Sequence, residues 1–427
     1  MNVSMLSRSV LGSAFWGALS VLSVLPVQAQ PGRTTLLAPN LHSLRLAVDG
    51  QAEQFPVISL NGNEQLEVSF DDLTHQYCRY TYRLTHCDWE GNPSDELFES
   101  EYLYAVQDEE VIDDYEPSLN TSVQYLHYRF TLPNERLKPL LSGNYLLTIY
   151  DEDEEPVCQT YFGVVDRKAG LVATCTTNTE IDWNDKHQQV SLELNLGNLP
   201  LRDAAEEVKT IVMQNRRYDT AVMGLTPTSQ QAGQLRWEHE QELIFKAGNE
   251  YRKMEMLSTR YPGMHGESMQ WYDPFYHYTL FADAPRKNYL YDEERNGAWV
   301  VAWSGSADPD TEADYVWTHF RLDMLPWAGR KVYVNGRWAV PDFSDAYLMH
   351  YNDEEHCYEA SILLKTGYYN YQYLCFDAPG QRTALTAPVE GDYFQTENEY
   401  EILVYYRPTA ARYWQLVACS TPLFRVQ

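Results

Sequence analysis

Short runs in which apolar and polar residues alternate are the sequence feature that most constrains the fold. Val190, Leu192 and Leu194 alternate with polar neighbours, which is typical of a strand with one buried face. Between residues 44 and 165 comparable runs are separated by turn residues such as Asn61-Gly62-Asn63. These runs are 55–60, 65–70, 79–84, 125–131, 144–150 and 157–164. Six or seven strands in about 120 residues predict an antiparallel sandwich of immunoglobulin type. We expect the acidic stretch 88–120 to be an ordered surface loop rather than a strand pair.

The same pattern continues to the end of the chain. Residues 208–215 and 242–245 are further strand candidates, and 202–207 suits a helical turn. Asn335-Gly336 lies between apolar runs and predicts a hairpin over 332–338. A second hairpin is predicted from 357–364 and 368–376, with Tyr369, Tyr371, Tyr373 and Cys375 on one face, and 400–406 and 413–418 complete this unit.

We therefore predict an all-β protein of consecutive immunoglobulin-like antiparallel β-sandwich domains. The expected units are 30–168, 169–288 and 289–427, the second boundary being the softer one. The high tyrosine and tryptophan content, 33 and 11 residues, agrees with a β-rich fold.

The first 29 residues predict export. Arg8 is their only charged residue, and an apolar run from Val10 to Val27 ends at Val27-Gln28-Ala29, a small-x-small cleavage pattern. A membrane anchor is disfavoured because glycine, serine and Pro26 interrupt the run. We expect residues 1–29 to be a signal peptide, cleavage after Ala29, and a soluble periplasmic product without membrane insertion.

The strong negative charge of the chain makes some classes of binding partner unfavourable. The net charge is −29, and removal of residues 1–29 takes it to about −30. So acidic a chain repels phosphate backbones and anionic membrane surfaces, which makes nucleic acid and lipid headgroups poor partners.

The seven cysteines do not define a disulfide framework. Their number is odd and no CxxC pair occurs, so at least one thiol is unpaired and neither a zinc knuckle nor a thioredoxin-type site is indicated. Cys78 and Cys87 could bridge only if the chain between them bends. Most of the cysteines are expected to be small buried residues.

No catalytic signature is present in the sequence. It lacks GxSxG, HExxH, P-loop and GxGxxG patterns, and Asp88/Glu90 or Asp151–Glu155 are better explained as solvated acidic loops than as a glycosidase pair. We therefore expect no enzyme activity, no catalytic or cofactor-binding residues and no cofactor.

Two clusters leave a metal site open as the lesser alternative. Carboxylates alternate in Asp308–Asp314, an arrangement that Ca²⁺ favours, although an ordered acidic turn explains it as well. His86-Cys87 and His356-Cys357 look like zinc ligands, but neighbouring strand residues point to opposite faces, so each pair offers one ligand. The prediction is that neither binds a metal.

The aromatic surplus supports an alternative function. Exposed tyrosine and tryptophan side chains on exported sandwiches form sugar-stacking platforms or protein-binding faces. Trp338, Trp303 and Tyr368–Tyr373 are the candidates for a platform, although most of the tyrosine stripe is expected to pack in the core. A periplasmic or surface glycan-binding protein is therefore the alternative that remains open.

Several stretches together resemble the plug protein family of the type IX secretion system. They are Leu66–Leu73, Tyr82–Trp89, Pro93-Ser94, Tyr102-Leu103, Asp114-Tyr115, Tyr128–Asn134, Leu141–Tyr145, Gln214-Asn215, Ala247–Arg252, Asp308–Tyr315, Thr366–Tyr373, Thr396–Tyr400 and Val404–Pro408. The resemblance covers about residues 41–420. Residues 363–373 also resemble the early-set immunoglobulin modules of starch- and glycogen-binding proteins, which concerns the fold of the last unit.

The family resemblance implies a non-enzymatic periplasmic subunit. Such a protein binds a large outer-membrane β-barrel translocon and closes its periplasmic opening while no cargo is in transit. We expect the free protein to be a monomer. The resemblance assigns no contact role to an individual residue, so the partner-binding residues stay unknown.

Overall fold

Nearly all of the regular structure is β-strand, as the alternating runs predict. The computed structural model describes residues 33–107, 109–231, 233–378 and 380–425. The described residues form three β-sandwiches, which confirms the predicted all-β fold class. The predicted signal peptide, 1–29, lies outside the described residues.

The first sandwich contains two sheets and a short strand pair. Its elements are β1 Thr35–Leu36, β2 Leu41–Val48, β3 Val57–Ser59, β4 Leu66–Asp72, β5 Thr81–Cys87, α1 Glu99–Tyr102, β6 Leu103–Ala105, β7 Glu110–Val111, β8 Asp114–Pro117, β9 Leu126–Leu132, β10 Leu137–Pro139, β11 Gly143–Tyr150 and β12 Pro156–Val165. One sheet has the order β2-β4-β9-β8, and the facing sheet contains β12-β11-β5-β7. Buried aromatic residues such as Phe70, Tyr128 and Tyr145 fill the space between them.

The prediction for residues 88–120 is wrong in part. This stretch contains α1 and the strands β6, β7 and β8, where we expected a loop without strands. Strands of two to four residues are too short to show a period of two in the sequence, so the pattern could not reveal them.

The second sandwich combines strands from the middle and the end of the chain. Its elements are β13 Gly170–Thr176, β14 His187–Asn195, α2 Ala204–Glu207, β15 Val208–Gln214, β16 Arg217–Met223, β17 Ser229–Gln231, β18 Gln234–Trp237, a 3₁₀ turn Gln241–Leu243, β19 Ile244–Lys246, β29 Asn398–Tyr406, β30 Gln415–Ser420 and β31 Leu423–Phe424. The order β13-β14-β18-β17 forms one sheet and β16-β15-β29-β30 lies opposite. Trp237 and Tyr400 are central residues of their shared core.

The third sandwich lies between these two parts of the chain. Its elements are β20 Arg252–Met256, β21 Gly266–Tyr272, β22 Phe275–Leu280, β23 Trp299–Val301, α3 Pro309–Glu312, β24 Tyr315–Leu322, β25 Lys331–Asn335, a 3₁₀ turn Asp345–Tyr347, β26 His350–Asn352, β27 Cys357–Lys365 and β28 Gly367–Phe376. β20, β23 and β25 pair with β28, and the other sheet has the order β21-β22-β24-β27-β26. Tyr369, Tyr371 and Tyr373 are buried in the core, which confirms that they share one face.

The strand assignment near the end of the chain differs from our prediction. We assigned 400–406 and 413–418 to the third unit, but β29 pairs with β15 and their buried residues join the second core. Likewise β20, β21 and β22 precede residue 288 yet pair with strands of the third sandwich. A local period shows that a segment is a strand but not which distant strand it joins. The boundaries themselves stay predictions.

Both hairpins predicted for the third unit are wrong. β27 and β28 lie in opposite sheets, and the chain crosses between the sheets at Thr366. β25 ends at Asn335 and pairs with β28, while the chain after Gly336 leads to β26 in the other sheet. A Cβ at Gly336 would lie 2.7 Å from the carbonyl oxygen of Asn370, so the glycine serves close packing rather than a hairpin turn.

One sheet continues from the first sandwich into the second. β12 pairs in parallel with β30 at Val165 and Leu416, and Asp166 N–H donates to the Leu416 carbonyl over 2.9 Å. Gly163 permits this approach, because a Cβ there would lie 2.9 Å from a methyl of Val57 and 3.0 Å from one of Leu416. Backbone hydrogen bonds therefore couple the two sandwiches directly.

A substitution at Trp237 can test whether strands from the middle and the end of the chain share the second core. Trp237→Ala removes a fully buried side chain from the core that includes β29 and β30, so we expect a loss of about 3–5 kcal/mol in unfolding free energy. Trp183→Ala is the matched control, because Trp183 lies on the same unit and is 75% exposed, and it should change stability by less than about 0.5 kcal/mol. Urea unfolding followed by circular dichroism measures both. Equal effects would contradict the assigned core.

Candidate functional site

A buried ion pair joins the first sandwich to the third. Asp71 stands near the end of β4 and Lys365 at the end of β27, and each is only 1% exposed. The Lys365 ammonium nitrogen lies 2.6 Å from Oδ2 of Asp71 and also donates to the carbonyl oxygen of Asp310 over 2.6 Å. A charge removed from water this completely needs a close partner, so the two units depend on each other here.

The hydrogen bonds around Asp71 keep its carboxylate ionised. Tyr315 donates its hydroxyl to Oδ2 over 2.6 Å, and Nδ1 of His127 lies 2.7 Å from Oδ1. Burial alone would raise the pKa of Asp71, but Lys365 and His127 outweigh it, and the pKa falls below its usual value. Lys365 also lies 4.2 Å from the ring centre of Tyr125, which adds a cation–π contact.

The segment Asp308–Asp314, considered above for calcium, contributes to the same interface. Asp310 accepts two hydrogen bonds from Arg45 of the first unit, at 3.1 and 3.0 Å. Asp314 accepts from the backbone N–H groups of Ser122 and Val123, at 2.9 and 3.1 Å. The carboxylates thus have separate protein partners, and within the described residues no group of three or more His, Cys, Asp or Glu could hold a metal ion.

A cavity of about 160 Å³ lies where all three sandwiches meet. The first unit supplies Arg33 and the loop before β3, the second supplies Arg216 and Arg217, and the third supplies Arg337. Arg216 and Arg337 both donate to the carbonyl oxygen of Glu53, so one backbone oxygen links the three units. A chain with many more carboxylates than cations thus concentrates four arginines in one place.

The charged groups at this junction perturb each other. Burial and the neighbouring Arg337 lower the pKa of Arg216 to about 10. Burial and Glu399 raise the pKa of Glu401 to about 7, and desolvation together with Asp219 raises the pKa of Asp342 to about 7. Burial is the largest cause of each of these pKa shifts, so the junction holds charged groups of both signs that are largely removed from water.

The turn between β13 and β14 presents two large apolar side chains to solvent. Ile181 is 57% and Trp183 is 75% exposed. Asp182 is held by Thr179 at 2.8 Å and by Nδ1 of His187 at 2.6 Å, which fixes the turn between the two side chains. Exposed tryptophan on an ordered turn is typical of a protein-binding contact.

The acidic stretch 88–120 presents a second exposed surface. It contains twelve carboxylates and no lysine or arginine, while Phe98 before α1 and Tyr104 and Val106 on and beside β6 are exposed. Arg412 from the second unit pairs with Glu101, and Arg83 from β5 pairs with Glu109. The surface combines negative charge with apolar side chains, which suits a cationic protein partner.

The other acidic groups singled out in the sequence form turns. Asp88 accepts hydrogen bonds from the backbone of Glu90 and Asn92, both at 2.9 Å. Asp151 accepts from the backbone of Asp153 and Glu155, both at 3.0 Å. These contacts agree with the interpretation as acidic loops.

The histidine and cysteine residues considered for zinc or a disulfide lie apart. His86 is buried, with Nδ1 2.8 Å from Ser94 Oγ, and burial lowers the pKa of His86 to about 4. His356 is exposed in a turn of the third unit, and Cys357 is buried beside it. The cysteines of the described residues are all free thiols, including Cys78 and Cys87.

The proposed glycan platform is wrong for its main residues. Trp338 is only 8% exposed, and its indole N–H donates to the Asn370 carbonyl over 2.9 Å. Trp303 is half-buried, and within the tyrosine stripe Tyr368 is exposed while Tyr369, Tyr371 and Tyr373 are buried. Trp338 and the three buried tyrosines belong to the third core, so they cannot form the platform that the sequence suggested.

The sequence patterns missed the junction residues, although a signal was present. Asp71 follows the apolar β4 run and Lys365 ends the apolar β27 run, so each is a charge placed in an otherwise buried strand. Such charges need a partner, but the sequence does not say which one. The arginine cavity left no local pattern, because its residues are spread from 33 to 337.

These features define an all-β, multi-sandwich protein with charged junctions between its units and exposed apolar contact surfaces. Residues 41–166 match the family model described as type 9 secretion system plug protein, first domain. This match identifies residues 41–166 as a first domain of the type 9 secretion system plug protein family, which confirms the resemblance stated above.

A solved structure extends the similarity over most of the chain. The crystal structure of a hypothetical protein from Parabacteroides merdae ATCC 43184 is 39% identical in sequence, with a TM-score of 0.89. The match covers 93% of this chain and 100% of that one. No curated protein shows significant similarity.

Among the described residues, no helix is both long and apolar enough to cross a membrane.

The buried ion pair can be tested with a double-mutant cycle. Lys365→Met leaves the Asp71 carboxylate buried without its cation, so we expect a loss of about 3–5 kcal/mol in unfolding free energy. In the double variant Lys365→Met/Asp71→Asn the loss should be smaller, because no unpaired charge stays buried. Urea unfolding measures each corner of the cycle.

Lys253→Met is the matched control for this cycle. Lys253 also lies 2.6 Å from a carboxylate, that of Asp292, but the Asp292 side chain is 52% exposed. We expect an effect of about 0–1 kcal/mol for this exposed pair. An equally small effect of Lys365→Met would show that the buried pair does not stabilise the junction.

Proposed function

We propose that this protein is a non-enzymatic periplasmic subunit of the type IX secretion system. It plugs the periplasmic opening of the large outer-membrane β-barrel translocon when no cargo is in transit. Membership of the plug protein family supports the system, and the coupling of three sandwiches into one body is the observation that carries the plugging role. A pore wide enough for folded proteins leaks solutes unless a body of comparable width fills it.

The couplings between the units suit an occluding body. The first and second units share a sheet through β12 and β30, the first and third share the Asp71–Lys365 pair, and all three meet at Glu53. Sandwiches joined only by flexible linkers would be pushed apart by pressure or by a passing chain. Couplings made by buried charges and backbone hydrogen bonds resist that separation.

The exposed surfaces suit a partner that must be released. A plug has to leave when cargo or its carrier arrives, so its contact should combine a few strong apolar residues with a polar rim. Ile181 and Trp183 supply such residues on the second unit, and the acidic stretch 88–120 supplies a charged surface on the first. The free protein, in this proposal, is a monomer.

The test of the plugging role is capture of the translocon. Tagged mature protein, incubated with detergent-solubilised envelopes, should retain a very large β-barrel protein. Trp183→Ala should weaken that capture by about tenfold or more, since buried tryptophan contacts are worth at least about 2 kcal/mol at interfaces. Quantitative pull-down against a dilution series measures the change.

Leu290→Ala is the matched control, because Leu290 is an exposed apolar residue of the third unit. It should leave capture unchanged, and both variants should unfold at the wild-type temperature. A deletion strain should also become more sensitive to large antibiotics. If no barrel protein is captured and permeability is unchanged, the proposed function is wrong.

Export can be tested separately. We propose that residues 1–29 direct the chain to the periplasm and that cleavage after Ala29 leaves Gln30 as the first residue. N-terminal sequencing of the protein from the periplasmic fraction should therefore begin Gln30-Pro31-Gly32. Full-length chain in a carbonate-resistant membrane pellet would contradict the proposal, while Ala29→Trp, which blocks the cleavage pattern, should produce that result.

A further inference from the structure

The cavity at the three-unit junction continues into a second, apolar cavity. The second has a volume of about 40 Å³ and lies between the first and second units. Phe55, Pro56, Tyr161 and Tyr218 line both cavities, so the two adjoin. One continuous space therefore has an arginine-rich end and an apolar end.

The polar end contains donors without partners. The Nε atoms of Arg33, Arg216 and Arg337 are buried and have no hydrogen-bond partner among the described residues. The Arg337 side chain is nine-tenths buried. A buried guanidinium N–H without an acceptor costs free energy, and a bound anion would supply one.

The surrounding carboxylates pair unevenly with these cations. Asp219 lies 2.7 Å from Arg217, and Glu399 pairs with Arg337. Glu401 stays 3.9 Å from Arg216 Nε, too far for a hydrogen bond, and its Oε1 has no partner. Burial and the neighbouring Arg337 lower the pKa of Arg216, and the Glu53 carbonyl oxygen that accepts from both arginines leaves their Nε atoms without a partner among the described residues.

The apolar end is lined by side chains that suit contact with a short hydrocarbon group. Ile211 and Met213 from β15, Met223 from β16 and Leu403 from β29 line it. These side chains lie on the face of the sheet opposite the second core, so they are not needed to fill that core. Apolar walls beside a cluster of guanidinium groups are typical of sites for amphipathic anions.

We propose that these adjoining cavities bind a small carboxylate that carries an apolar substituent. The carboxylate lies among Arg33, Arg216 and Arg337, and the substituent enters the cavity lined by Met213 and Met223. A carboxylate matches the fork of a guanidinium group in size and geometry. Asp342 on the cavity wall favours a monoanion over a dianion such as phosphate, because it repels the larger charge more strongly.

A chain-length series tests both ends of the site. Acetate, butyrate and hexanoate are titrated into the full mature protein, and binding is followed by calorimetry. Each added methylene should tighten binding by about fourfold until the apolar cavity is full. Hexanamide, which has the same tail without the charge, should bind at least about tenfold more weakly than hexanoate.

Variants locate the site. Arg33→Gln should weaken hexanoate binding by about tenfold, and it breaks no side-chain hydrogen bond or ion pair with the described residues, so the variant should unfold at the wild-type temperature. Met223→Gln should weaken hexanoate more than acetate, because it changes only the apolar end. Arg295→Gln is the control, since Arg295 pairs with Glu53 and is 69% exposed, and it should leave binding unchanged.

Two sources of such a carboxylate are distinguished by a further probe. N-acetyl-leucine represents the C-terminus of a polypeptide, and hexanoate represents a free fatty acid. Tighter binding of N-acetyl-leucine identifies a peptide C-terminus as the ligand, and tighter binding of hexanoate identifies a fatty acid. If neither binds more tightly than acetate, or if Arg33→Gln has no effect, the proposal is wrong.

Discussion

The buried pair of Asp71 and Lys365 is the contact on which the arrangement of the sandwiches depends. Neither charge has access to water, so separating the first and third units would leave both without a partner or force both to be hydrated anew. The pair is joined by Tyr315, His127 and the carbonyl of Asp310, which leaves little freedom in its geometry. A hydrophobic contact would tolerate sliding, whereas these directed bonds fix one orientation.

Two other contacts extend this constraint to the second unit. The β12–β30 pairing forms a shared sheet, and Glu53 connects arginines from the second and third units. Arg337 of the third unit also pairs directly with Glu399 of the second, so each pair of sandwiches is held by a contact of its own. The cavity that we propose as a carboxylate site lies where the three units meet, so a bound anion would also bridge them.

Local features of the fold could be predicted from the sequence, and long-range ones could not. The runs at 65–70, 144–150 and 157–164 correspond to β4, β11 and β12, because burial of alternate residues leaves a direct trace in the sequence. The predicted hairpin at residues 357–376 is wrong, because a turn between two strands looks the same whether they pair or cross to opposite sheets. Asp71 and Lys365 lie nearly 300 residues apart, so no local pattern could join them. Family resemblance supplied the system and partner class, which the residues alone did not.

The return of β29 to the second sandwich has a consequence for the order in which the chain can fold. β15 has β16 beside it early, but its other edge and about a third of the buried residues of the second core wait for residues 398–420. During synthesis the N-terminal part of the chain can complete the first sandwich long before residue 398 is made. The second sandwich stays incomplete until the residues of the third have been synthesised. The segment that forms the third sandwich is thus inserted between the two segments that form the second. Both of its ends connect to the second sandwich. The last strands to arrive therefore close the molecule, so loss of the C-terminal segment would unfold its middle rather than its end.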